Sequence, residues 1–203
     1  MNKKELNSIL ELHKIWVQSK GKQGIHANLK DVNLKGADLK GVNLEGIILK
    51  GANLEVAYLE GANLEGANLE GANLDCADLV GADLQGTNLQ SADLQSADLQ
   101  IANLKGANLV GAYLGYTTLQ GAVLEEANLE EANLEEADLE RANLEGANLQ
   151  HANLSYVFLE GAKFSIEIRN CLSFENASVS KEQLYWLALH PLFKEFLPTL
   201  KIK

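Results

Sequence analysis

Leucine occupies every fifth position of this chain from Leu29 to Leu159 without a gap, 27 residues in register, and Phe164 extends the series. Two residues before each of these 28 positions stands Ala in 22 cases, the exceptions being Val32, Val42, Ile47, Thr87, Thr117 and Val157. The residue immediately before is Asn in 15 cases and Asp in 6, and the residue two after is Gly in 14. No insertion or deletion breaks the register. Self-similarity of this kind sets the architecture before any local propensity is considered.

A period of five suits neither common element. On an α-helix a step of five advances about 500°, so successive leucines would cover every side of the cylinder. On a straight strand they would alternate between faces. One buried seam forms only if the chain turns a corner about every five residues and coils onto itself. Each side is then a very short strand, and successive coils stack about 4.8 Å apart. The Gly-rich position supplies the corner, where a positive φ is often needed. Ala stays small because it shares the narrow interior with Leu.

The Asn/Asp position carries a longer period. Every fourth repeat from residue 38 reads Asp38, Tyr58, Asp78, Asp98, Thr118, Asp138 and Phe158, with no Asn, although Asn fills 15 of the other 21 positions. Grouping by every third repeat leaves Asn in all three columns. A 20-residue coil with four distinct sides therefore fits better than a 15-residue coil. The runs ANLEGANLEGANLDCADL and ADLQSADLQIANLKGANL resemble the pentapeptide-repeat proteins, A(D/N)LXX. The resemblance implies an all-β solenoid: a right-handed quadrilateral β-helix of about seven coils over residues 27–166, roughly 34 Å long at the strand spacing.

A solenoid needs its open ends covered. Residues 1–26 supply one cover: Leu6, Ile9, Leu10, His13, Trp16 and Val17 fall at helical spacing within Asn2–Ser19, and Gly21 follows as a stop. Packing this helix over the first coil is expected to bury Trp16. Residues 167–203 are read as degenerate repeats, with Phe174 and Val179 restoring the spacing, followed by a helical cap. Ser180 and Gln183 match a capping box. Two readings of the cap stay open. It is a lid, or, as in some pentapeptide-repeat proteins, a homodimer interface with Phe193 and Phe196 as contacts. Sedimentation of Phe193→Glu/Phe196→Glu separates them: a lid predicts lost stability, an interface a folded monomer.

No enzyme site emerges. His13, His26, His151 and His190 are scattered without ligand spacing, and neither G-x-x-x-x-G-K-[ST] nor G-x-S-x-G occurs. No cofactor or metal is expected. Cys76 and Cys171 lie nearly five coils apart, roughly 23 Å, too far to bridge; reduced thiols in a cytoplasmic protein are the simple reading. No stretch approaches the roughly 20 apolar residues of a membrane span.

Charge is more informative. The net charge of −11 disfavours direct nucleic-acid binding and suits a basic protein partner. Residues 51–100 hold nine acids and no Lys or Arg, while residues 1–50 have nine Lys against five acids. One band stands out: Glu125, Glu126, Glu130, Glu131, Glu135, Glu136, Asp138 and Glu140 girdle a single coil, competing as a docking surface with the plainer reading of a solvated repeat surface. Tyr113, Tyr116 and Tyr156 are expected on one side, where the repeat otherwise shows Asn or Gly, and exposed aromatics are favoured anchors. The functional expectation is a non-catalytic protein-interaction or scaffold module. The resemblance also implies an alternative, since some pentapeptide-repeat proteins mimic duplex DNA and bind a topoisomerase, DNA gyrase.

Overall fold

The computed structural model describes residues 1–164, 173–174, 176–181, 183 and 197–202. From Asn28 onward, parallel bridges link each Asn/Asp position to the residue 20 further on, from Asn28↔Ile48 through Asp138↔Phe158. The 20-residue, four-sided coil is thus observed directly. The rungs are so short that two-residue strands appear in few places: β1 (Asn143–Leu144) pairs with β2 (Lys163–Phe164).

Every leucine of the series is buried, and the alanines from Ala52 to Ala152 are at most 1% exposed. The substitutions at the alanine position obey the same size limit: Ile47, Thr87, Thr117 and Val157 are fully buried. Thr87 meets the cost of a buried hydroxyl by donating to the Leu64 carbonyl at 2.8 Å, and Thr117 donates to Leu114 at 2.7 Å.

Two repeated bonds hold the sides and corners. The Leu N–H donates to the next coil, as Leu69 to Asn88 at 2.7 Å. The Asn or Asp side chain accepts from the backbone N–H two residues on, as Asn73 from Asp75 at 2.9 Å, which fixes the bend into each corner. Amides also bond from coil to coil, Asn108 to Asn88 at 3.1 Å and Asn148 to Asn128 at 3.0 Å. The corner residue has φ near +60° throughout, which is why Gly recurs there.

At the start lies α1 (Lys3–Gln18), opened by an Asn2–Glu5 capping box. It buries Leu6 and His13, while Ile9 and Leu10 rest against the core. Trp16 is only half-buried, a correction to the expectation; the side chain that goes fully inside is His13. Gly24 allows the return loop to touch the helix, since a Cβ there would collide with the Leu12 carbonyl.

Beyond Phe164, Phe174, Ala177 and Val179 are fully buried, so the interior spacing does resume. β3 (Ser178–Val179) pairs in parallel with β4 (Lys201–Ile202), a rung that the sequence did not announce. The Ser180–Gln183 capping box forms, and the Gln183 amide donates to the Leu159 and Ala162 carbonyls at 2.6 and 3.0 Å, of which the Leu159 carbonyl also accepts from the Ala162 N–H. Phe193, Phe196, Cys171 and His190 lie outside the described residues.

Candidate functional site

The eight band carboxylates do encircle one coil. Glu125, Glu130, Glu135 and Glu140 follow the leucines of its four sides, and Glu126, Glu131 and Glu136 stand at three corners with φ of +58°, +59° and +58°. The side positions are half-buried and largely spoken for. Glu125 accepts from Lys105 at 3.0 Å and from the Asn143 amide at 2.6 Å. Glu130 and Glu135 accept from Asn148 and Asn153 at 3.4 and 3.5 Å, and Asp138 from Gln120 at 2.7 Å. These carboxylates tie one coil to its neighbours. The three corner glutamates are exposed.

Elsewhere on the shaft, lysines meet acids one coil on: Lys35 with Glu55 at 2.8 Å, Lys40 with Glu60 at 2.7 Å and Lys50 with Glu70 at 2.9 Å. Such exposed pairs contribute little stability. They engage Lys35, Lys40 and Lys50, and residues 51–100 beyond them hold no Lys or Arg, so the middle of the shaft is acidic.

The tyrosines converge as expected. Tyr113 bridges Asn133, which bridges Asn153, so Tyr113 stands in one side column. Tyr116 and Tyr156 share the corner column of that side with Glu136 between them. The Glu136 carboxylate beside the Tyr116 phenol, together with burial and their hydrogen bond, pushes that phenol above its ordinary value. Lys201 lies over the Tyr156 ring with its Nζ 5.5 Å from the centroid, and Lys40 lies likewise over Tyr58 at 5.5 Å. Tyr58 and Val56, both exposed, escaped the sequence reading. The missing corner glycine at position 56 was the available signal.

The histidines are not all scattered. His13 and His26 stand 5.8 Å apart between ring centroids, and Trp16 stacks on His26 at 4.2 Å. The Ala27 N–H donates to His13 Nδ1 at 3.3 Å, and His26 Nε2 donates to the Gly46 carbonyl at 2.7 Å. Two imidazoles thus cover the open edge of the first coil. Burial and the nearby His26 hold the His13 imidazole below its ordinary value, against the opposing pull of Glu45. His151 sits at an outward corner. Cys76 also faces water from a corner, with its thiol pushed up by the Asp75 carboxylate that accepts its hydrogen bond. Among the described residues no group of three His, Cys, Asp or Glu could hold a metal ion, and no helix is long and apolar enough to cross a membrane.

A family model described as pentapeptide repeats matches in four segments, residues 27–66, 52–90, 87–125 and 127–165. Among solved structures, the chain is 35% identical to HetL, a pentapeptide repeat protein involved in heterocyst differentiation regulation from the cyanobacterium Nostoc sp. strain PCC 7120. That match covers 74% of this chain and 75% of HetL, with a TM-score of 0.35. Rfr23, a pentapeptide repeat protein from the cyanobacterium Cyanothece 51142, is 33% identical over 64% of this chain and 88% of its own, with a TM-score of 0.38. A trypsin-treated form of QnrB1, a plasmid-mediated fluoroquinolone resistance protein, is 21% identical over 77% of this chain and 81% of its own, with a TM-score of 0.49. No curated protein matches the chain. Kinship therefore rests on the repeat itself and on sequence identity, and by both the chain belongs to the pentapeptide repeat family, whose fold is the right-handed quadrilateral β-helix.

Proposed function

We infer that this protein is a non-catalytic interaction module whose acidic shaft receives a basic protein partner. In this reading residues 27–166 form a rod of about seven coils, and residues 1–26 and 167–203 close its ends. A repeat scaffold carries function in its outward residues. The observation that carries the reading is the placement of Glu126, Glu131 and Glu136 at solvent-facing corners of one coil, with Tyr113, Tyr116 and Tyr156 on one side of the same stretch. These corners bond the next coil through their backbone N–H groups, Glu126 to Glu145, Glu131 to Gln150 and Glu136 to Ser155, as glycine corners also do, so the scaffold itself does not call for carboxylates there. The test is a pull-down from the source cell with the parent and with a variant whose eight band carboxylates are changed to Asn or Gln. A partner held by the parent and lost by the folded variant supports the reading; equal retention by both overturns it.

The acidic shaft also favours a second reading, mimicry of duplex DNA toward a topoisomerase such as DNA gyrase. Residues 27–166 carry a net charge of −15. Inhibition or protection in a gyrase supercoiling assay would favour it; no effect at micromolar protein would remove it.

A further inference from the structure

The four corners of the coil are not equivalent. Gly occupies three of seven positions in the column from Asp31 to His151, five of seven from Gly41 to Gly161, and five of six from Gly46 to Gly146. The remaining column begins with Gly36 and then holds Val56, Cys76, Ser96, Tyr116, Glu136 and Tyr156, continuing to Asn176, with no further glycine. All of these adopt the left-handed conformation that glycine adopts freely. Along this one edge the rod bears side chains at seven successive corners in a backbone state that disfavours them.

A second, independent observation falls on the same edge. Seven large apolar or aromatic side chains of the described rod are exposed, and six of them are Val56, Tyr58, Tyr113, Tyr116, Tyr156 and Phe158. Val56, Tyr116 and Tyr156 are corner residues of the edge, Tyr58 and Phe158 follow it by two positions, and Tyr113 precedes it by three. Ile101 stands on another corner.

Charge names the occupant. Asp75 and Glu135 lie immediately before the edge, and Asp98 and Asp138 two positions beyond it; Glu55 and Asp78 stand in the same columns but already face Lys35 at 2.8 Å and Lys40 at 3.9 Å. Between Leu54 and Leu159 the only cations are Lys105, on the side diagonally across the coil, and Arg141, at a different corner. The chain's own lysines show what the rings accept: Lys40 covers Tyr58 near one end of the edge and Lys201 covers Tyr156 near the other.

We propose that this edge, from Val56 to Tyr156, is a docking ridge for an extended polypeptide segment bearing Lys or Arg, with Tyr116, Glu136 and Tyr156, its last three corners, as the principal seat. Five coil steps give a ridge of about 24 Å, the length of about seven extended residues. A cation at Glu136 gains the carboxylate between two tyrosines one coil away on either side, Tyr116, whose phenol bonds Glu136, and Tyr156, whose ring already takes the Lys201 cation. The proposal rests on the basic-partner reading and assigns it to one edge.

Glycine variants test this cleanly, because Gly suits the corner backbone and removes the side chain without straining the rod. Binding of a fluorescein-labelled hexa-arginine peptide is followed by anisotropy at about 0.15 M salt. Tyr116→Gly/Glu136→Gly/Tyr156→Gly removes one carboxylate and is expected to bind at least about tenfold more weakly. Glu126→Gly/Glu131→Gly removes two carboxylates at other corners of the Glu136 coil and is expected to stay within about threefold of the parent. Equal weakening by both, or weakening by the second alone, overturns the ridge and leaves the acidic-shaft reading standing. An unchanged ridge variant also overturns it. A parent that does not bind the peptide overturns both.

Discussion

The double replacement Glu126→Gly/Glu131→Gly should make the protein more stable, although it deletes two side chains from a regular surface. Both residues hold φ near +60°, a state that costs an L-residue about 1–2 kcal/mol. Gly adopts it freely but gives up about 0.5–1 kcal/mol more chain entropy on folding. The net gain is about 0.5–1 kcal/mol per corner, hence about 1–2 kcal/mol for the pair. A chain of this length shifts by about 2–4 °C per kcal/mol, so the melting temperature should rise by about 2–8 °C. Room exists for the change: Gly146, one coil beyond Glu126 in the same column, already has the intended conformation, and the Glu126 side chain leans against it. Charge relief adds to the gain, and salt separates the two causes. Thermal melts followed by circular dichroism at low salt and at about 1 M salt, where the Debye length is about 3 Å, isolate the backbone part. A rise that persists in high salt is the expected outcome. A rise that vanishes in high salt, or a fall at either, would refute the strain argument.

Three further outcomes follow from the same structure. Leu89→Asp forfeits about 1.5–3 kcal/mol of apolar burial at a position with no exposure and adds the larger cost of an unpaired buried carboxylate; the variant should lose the cooperative melt of the central coils, and a parent-like melt would contradict the inward-leucine interior. The His13 imidazole is neutral in the fold because Nδ1 accepts from Ala27, and its affinity for protons is below the ordinary 6.5. The unfolded chain therefore binds more protons below that pH, so stability is full above it and falls as pH drops from about 7 toward 5. His13→Gln should flatten this fall, and parallel pH profiles of the melting temperature would show that His13 is not the group responsible. Gln183→Ala leaves the Ala162 carbonyl without its donor, while the Leu159 carbonyl keeps the Ala162 N–H at 3.0 Å, and should cost about 1–3 kcal/mol, read as faster amide exchange in the last rungs; unchanged exchange would remove Gln183 from the end-closing role.

The interior was legible because each coil repeats one packing problem, which Leu answers 27 times and Ala 22 times. The four-sided coil was legible too, since the absence of Asn from the column of Asp38 already carried the 20-residue period. The ridge was equally written in the sequence, in the run of non-glycine corners from Val56 to Tyr156, but it shows only when the period is applied to the corner and not to the Asn position. The ends obey no repeat. Nothing in the spacing of His13 distinguishes a buried imidazole from an exposed one, because the acceptor role of Nδ1 depends on where the return loop brings the Ala27 amide. Lys201 and Ile202 form a rung by meeting β3, a contact between segments more than 20 residues apart that no local pattern encodes.

Oxidative footprinting of the complex with the hexa-arginine peptide tests the central claim within one molecule. Tyr116 and Ile101 are similarly exposed, at 61% and 67%, on different corners of adjacent coils. Binding on the ridge predicts that Tyr116 and Tyr156 are protected while Ile101 keeps its free reactivity. Protection of Ile101 equal to that of the tyrosines, or no protection of the tyrosines at saturation, would contradict it.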